Sequence, residues 1–222
     1  REQRILLFNP AAEKMFGYRA DQLMGEPLDR LIPQRFRGAH TGHVQKFGDT
    51  GVSNRRMGAL GTIFGVRADG TEFPIEASIS QVATGGQKLF TVMLRDITAR
   101  KLGEEARNRL AALVESSDDA IISETLDGMI TSWNTGAERV FGYAAKEVLG
   151  RPITLVIPPE LQNEEPQILE VIQRGERMAQ LETVRLRKNG SRLNVSLIIS
   201  PIKNAEGKII GASKIARDIT DR

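Results

Sequence analysis

The side chains best suited to hold a ligand are two histidines three residues apart, His40 and His43, in the run Phe36-Arg37-Gly38-Ala39-His40-Thr41-Gly42-His43-Val44-Gln45-Lys46-Phe47. On a helix, residues at this spacing share a face. As a zinc site the pair is poor, because two imidazoles without cysteine or an evident third ligand fall short of the three or four protein ligands that zinc takes. A haem iron, by contrast, can be held by one axial imidazole. The chain contains no cysteine, which removes disulfides, thiolate metal sites and thiol nucleophiles together. No Ser-His-Asp grouping, glycine-framed carboxylate pair, phosphate loop or dinucleotide fingerprint is present, so no catalysis is expected in this segment. Glu13 and Glu138 recur at one helical position, where they read as first-turn charge complementing the helix dipole.

The elements that must position these residues occur twice. Asn9-Pro-Ala-Ala-Glu-Lys-Met-Phe-Gly-Tyr18 returns 125 positions later as Asn134-Thr-Gly-Ala-Glu-Arg-Val-Phe-Gly-Tyr143. Gly25, Pro27 and Ile32-Pro33 return as Gly150, Pro152 and Ile157-Pro158, Arg67-Ala-Asp-Gly70 as Arg187-Lys-Asn-Gly190, and Arg95-Asp-Ile-Thr98 as Arg217-Asp-Ile-Thr220. Copies of this length are whole domains rather than solenoid repeats. The chain of 222 residues divides into a first domain at 1–98, a helical linker at 99–117 and a second domain at 118–222. Each domain is long enough to bury a core. The net charge of +3 is small, with basic and acidic residues interleaved, which argues against a nucleic-acid surface. No apolar run reaches membrane-spanning length and the start is not a signal peptide, so a soluble, cytoplasmic segment without membrane contact is expected.

The second copy shows the full order of elements. Ala120–Glu124 and Met129–Trp133 flank an Asp127-Gly128 turn and read as a hairpin. Asn134 suits a helix N-cap, and in the first copy Pro10 follows Asn9 at the favoured first helical position. Short helical pieces follow at 137–141 and 145–149, then a longer helix from about Glu164 to Arg174. Leu193, Val195, Leu197 and Ile199 then alternate with polar residues, as do Phe73, Ile75, Ala77 and Ile79 in the first copy. That strand is flanked by one around 183–187 and a last one at 209–219. Two strands, small helices and three antiparallel strands give an α+β domain: a five-stranded antiparallel sheet with short helices on one face. The cavity between sheet and helices is where a small ligand commonly binds.

This order, with the Asn…Ala-Glu…Phe-Gly-Tyr block, the Asp-Gly or Asn-Gly hairpin and the terminal Arg-Asp-Ile-Thr, resembles PAS domains, so two tandem PAS folds joined by an amphipathic helix are expected. The resemblance covers nearly the whole chain. It implies a sensory and dimerising region of a bacterial signal-transduction protein, foremost a two-component sensor histidine kinase. The alternatives are a ligand-free PAS spacer or the sensor region of a diguanylate cyclase or phosphodiesterase. The first copy begins at Arg4-Ile-Leu-Leu-Phe8 without an opening strand, which suggests an excerpt of a longer protein with an output domain downstream.

The segment around His40 also resembles the long helix of FixL-type haem PAS domains, Tyr-Arg-x-x-His-x-Gly-Tyr, whose histidine binds the iron. His40 falls on that axial histidine, Phe36-Arg37 on the Tyr-Arg before it, and His43 replaces a tyrosine. The resemblance implies haem b in the first domain, with Lys46, Arg55 and Arg56 where cations could face the propionates. Gly61 takes the place of an arginine that steadies the bound gas in that family, which favours carbon monoxide, nitric oxide or redox sensing. Glu165 stands at the position of His40 in the second copy, which therefore cannot bind haem this way. Covalent flavin and coumaryl photochemistry need a cysteine and are out. Noncovalent FAD is the lesser cofactor candidate, with Trp133 and Asn134 as possible borders, although Trp133 reads first as core. An empty pocket is the remaining alternative.

Between the copies, Leu102, Ala106, Leu110 and Leu113 are spaced 4, 4 and 3, one stripe of an amphipathic helix. It reads either as packed on its own domain or as the helix of a homodimer. Gly103 weakens its start by about 1 kcal/mol and would make a joint. Asp96, Thr98, Asp218 and Thr220 sit where the last strand leaves each domain. They read as strand termination and capping, and the PAS resemblance adds coupling of the sheet to the outgoing helix.

Overall fold

The structure, a computed structural model, describes residues 3–49, 54–57, 62–84 and 87–220. The chain forms two compact units, Arg1–Ala106 and Arg107–Arg222.

In the first unit, Asn9 accepts a hydrogen bond from Ala12 N–H and starts α1 (Pro10–Phe16), which Gly17 ends with a φ of 75° that favours glycine. Helix α2 (Ala20–Leu23), a 3-10 turn at Leu28–Leu31 and α3 (Gln34–Asp49) follow, then strands β1 (Asn54–Met57), β2 (Ile63–Val66), β3 (Glu72–Thr84) and β4 (Gln87–Asp96). Phe73, Ala77 and Ile79 of β3 are buried on one face, as their alternation predicts. Phe16 packs on Phe73 with ring centroids 5.3 Å apart, and Leu23 and Leu31 complete that core.

The first sheet is not five-stranded. Met57 to Asn54 pair with 77–80 of β3, and Ile63–Val66 pair with 72–75, so β1 and β2 lie in tandem along one edge of β3. β4 covers the other edge, which leaves a sheet three strand positions wide among the described residues. Residues 5–8, the counterpart of a strand in the second unit, carry no strand structure. A strand exists only through a partner ladder, and no described strand precedes them. Arg4 makes one bridge to Pro27 instead, as Met129 does to Pro152.

Helix α4 (Thr98–Glu115) runs from the end of the first unit into the second and has no buried residue. Gly103 lies in its interior, with no break there.

The second unit has all five strands: β5 (Ala120–Thr125), β6 (Ile130–Trp133), β7 (Met178–Leu186), β8 (Arg192–Lys203) and β9 (Ile209–Asp218), in the order β6-β5-β9-β8-β7 and antiparallel throughout. Helices α5 (Thr135–Phe141), α6 (Ala145–Val148) and α7 (Glu164–Gln173) supply Phe141, Val148, Ile168 and Ile172 to the core over this sheet. Burying each such side chain contributes about 1.5–3 kcal/mol. Gly136 is required where α5 meets the chain entering β5. A Cβ there would stand 2.3 Å from Asp119 O and 2.7 Å from Ser117 O. The inward parity of the sheet is apolar along β8 (Leu193, Val195, Leu197, Ile199), but β5 carries Ala120, Ile122 and then Glu124, and β9 carries Ala212, Lys214 and Ala216. All of these are buried, so two ionisable side chains stand on the core face.

Candidate functional site

In the first unit, α3 presents His40, Val44 and Phe47 on one stripe, spaced as i, i+4 and i+7. Val44 and Phe47 are buried, His40 is half-buried and His43 is exposed. The stripe continues into the sheet through Phe90, whose ring lies 6.3 Å from that of Phe47. His40 Nδ1 is buried and has no hydrogen-bond partner among the described residues. Burial pushes the His40 pKa below 6.5, with Asp29 opposing the shift and His43 adding to it. The imidazole is therefore neutral near pH 7, the form that ligates a metal.

Of the other expected cofactor residues, Lys46 and the backbone of Arg55 and Arg56 are described. Lys46 is exposed on α3. Arg55 and Arg56 lie on β1, opposite Ile79 and Ser78 in the ladder, where only the backbone is described. Gly61 lies outside the described residues. Trp133 is core: it is buried, packs on Phe141 at 5.3 Å and donates from Nε1 to Tyr143 O at 3.1 Å. Asn134 has every amide group engaged, accepting from Ile121 and Ala137 N–H and donating to Val114 and Asp119 O. Neither side chain has a polar group left for a flavin.

The position of His40 is taken in the second unit by Glu165 of α7, and that of Val92 on β4 by Lys214 of β9. Val92 pairs with Ile79, and Lys214 with Ile199, its counterpart. Lys214 Nζ donates to both Glu165 oxygens, at 2.6 and 2.5 Å, and stands 2.8 Å from Glu124 Oε1. All three side chains are buried. Burial pushes the Glu124 carboxyl up to about 8, with Lys214 pulling it down and Glu165 pushing it further up. One fold position thus holds a neutral imidazole in the first unit and an internal ion pair in the second. The charged cluster was missed in the sequence, although Glu124 and Lys214 both break the apolar parity of a strand.

At the exit of each sheet, Asp96 Oδ1 accepts from Thr98 N–H and Oγ1 at 2.8 and 2.6 Å, and Asp218 repeats this with Thr220 at 2.9 and 2.6 Å. The other carboxylate oxygen pairs with Arg67 in one unit and Arg187 in the other. Each arginine also donates to a carbonyl near the end of the unit's first core helix, Met15 O and Val140 O. The two arginines recur in register in the sequence, which was their only signal. Glu13 and Glu138 prove to be structural: they accept the N–H groups of Ala20 and Ala145 and so cap α2 and α6. On α4, Leu102, Leu110 and Leu113 are 60%, 65% and 61% exposed.

Among the described residues no group of three or more His, Asp and Glu side chains is placed to hold a metal ion, and no helix is long and apolar enough to cross a membrane.

The profile of the PAS domain family matches residues 1–99 and 118–221. The chain belongs to the PAS domain family, with two such domains in tandem. The oxygen sensor protein DosP of Escherichia coli (strain K12) is 25% identical over 218 residues, which is 98% of this chain and 27% of DosP. The sensor protein FixL of Bradyrhizobium diazoefficiens is 35% identical over 95 residues, 42% of this chain and 18% of FixL. The signal transduction histidine-protein kinase AtoS of E. coli is 28% identical over 118 residues, 53% of this chain and 19% of AtoS. The chain thus spans 27% or less of these relatives and corresponds to a PAS sensor region of signalling proteins. Among solved structures, the PAS domain of an HTR-like protein from Haloarcula marismortui is 30% identical and covers 55% of this chain and 98% of its own, with a TM-score of 0.48.

Proposed function

We propose that the chain is the sensory and dimerisation region of a bacterial signal-transduction protein, foremost a histidine kinase, in which the first PAS domain takes haem b through His40 and the second holds no cofactor. The observation that carries this reading is the His40 imidazole: neutral, on the inward stripe of α3 with Val44 and Phe47, with Nδ1 buried and without a partner among the described residues. A buried polar atom without a partner is costly unless it has a role. His40 fits an axial iron ligand, and Val92 stands on β4 at the ladder position that Lys214 takes in the second unit. Bound haem would supply an iron centre that takes up a diatomic gas or changes oxidation state. By the resemblance, glycine stands at 61 in place of an arginine that steadies the gas, which favours carbon monoxide, nitric oxide or redox state over oxygen as the signal. Lys46 is free to reach a propionate from its exposed place on α3.

Homodimer formation through α4 is supported by its exposed leucines, since an apolar stripe on a helix without buried residues gains by pairing with its like. A ligand then acts by its difference in affinity for two arrangements of the exit strands and helices. The test is the absorption spectrum of protein expressed with haem precursor. A Soret band supports the reading, and a spectrum without one leaves a ligand-free dimerising relay. Flavin bands would replace haem with FAD.

A further inference from the structure

The second unit contains a titratable cluster that the cofactor reading does not use. Glu124, Glu165 and Lys214 come from three elements, β5, α7 and β9, and meet in the core with 2%, 4% and 4% of their surface exposed. We propose that this triad is a proton-operated latch: with Glu124 neutral, Lys214 clamps Glu165 and holds α7 to the sheet, and when Glu124 ionises the uncompensated buried charge loosens α7 from β9.

The charge count drives the argument. Two carboxylates and one ammonium are neutral in sum only while one carboxylate keeps its proton. Lys214 gives two short bonds to Glu165, whereas it stands 2.8 Å from Glu124 Oε1 without the alignment of a hydrogen bond, and among the described residues no other donor meets either Glu124 oxygen. Glu124 is therefore the member that holds the proton. Little else near the cluster can compensate it. β6 presents Ile130, β8 presents Ile199 opposite Lys214, and β9 presents Ala212 opposite Glu124. Arg185 of β7 is buried and already held by Glu164 of α7 at 3.0 Å. The positive N-terminal end of α7 favours a charged Glu165 in its first turn, which again leaves Glu124 as the proton carrier.

Ionising Glu124 leaves one excess negative charge out of water, a state that buried groups escape by admitting water or moving apart. The free path is α7, whose other ties include Ile168, Leu169, Ile172 and the Glu164 contacts to Thr183 and Arg185. Lys214 stands four residues before Asp218 on the same strand, so a change at the triad is transmitted along β9 to the exit. The first unit cannot do this, because His40 and Val92 occupy the positions of Glu165 and Lys214.

The test is an infrared titration of the whole chain from about pH 6 to about pH 10, a range that ordinary carboxylates do not titrate in. A protonated-carboxyl band that disappears with a midpoint near 8 is expected, together with faster amide exchange over residues 164–173 across the same midpoint. Glu124→Gln, which keeps the neutral shape, should remove the band and the exchange step. Lys214→Met should move the midpoint upward. No carboxyl titration in this range, a band that survives in Glu124→Gln, or a midpoint unmoved by Lys214→Met would overturn the latch. The wild-type titration decides even if a variant does not fold.

Discussion

Arg187 Nη2 lies 2.5 Å from Asp218 Oδ2, and Arg67 repeats the pair with Asp96 at 2.6 Å. In both units the second arm of the guanidinium holds a carbonyl near the end of the first core helix, so one side chain ties that helix to the strand leaving the domain. The fork geometry of arginine makes this double reach possible, and lysine would lose it. Arg187→Met should destabilise the second unit by about 1–2 kcal/mol, since the pair is partly exposed. Trp133 is the chain's only tryptophan and sits in that unit. Urea unfolding followed by its fluorescence therefore reads the effect where it occurs.

The pH dependence of the first unit follows from His40. Its folded pKa lies below 6.5, so below that value the unfolded chain binds a proton that the folded one does not. Stability from this group is complete above about pH 6.5 and is lost as pH falls toward the folded value. His40→Leu should flatten the pH profile of thermal unfolding below about pH 6.5, while His43→Leu, which removes only a lesser cause of the His40 shift, should change it less.

The leucines of α4 bear on assembly. Leu110→Asp with Leu113→Asp should weaken self-association in sedimentation equilibrium and leave circular dichroism unchanged, because both side chains are exposed within the chain. A dimer of unaltered affinity would move the interface off this helix.

Gly136 offers a steric test of the second fold. Alanine would place a Cβ against two backbone carbonyls, Asp119 O and Ser117 O, and not against the end of a flexible side chain. Gly136→Ala should cost about 1–3 kcal/mol, readable from Trp133. The first copy has Ala11 at this position, so the requirement belongs to the chain entering β5 and not to the repeat as such.

These contrasts show how far the residues alone were informative. The repeat, the Asn9 and Asn134 caps, the Asp-Gly hairpin and the five strands of the second unit were legible because each rests on local chemistry or strand alternation. The narrower first sheet was not, since pairing depends on which strands are present to pair. The Glu124–Glu165–Lys214 cluster joins residues from three separated elements. Its only local trace was two charges on the apolar parity of β5 and β9. His40 was picked out by its residue type and the motif around it, and its separation from His43 needed the helix to be seated on the sheet.

The central claim is that one position of a duplicated fold has been put to two uses, a haem ligand at His40 and an internal ion pair at Glu165. Its most direct test is a titration of the apoprotein with haem, followed in the Soret region. We predict one haem per chain, lost in His40→Ala and kept in His43→Ala. Two haems per chain, or full binding by His40→Ala, would contradict it.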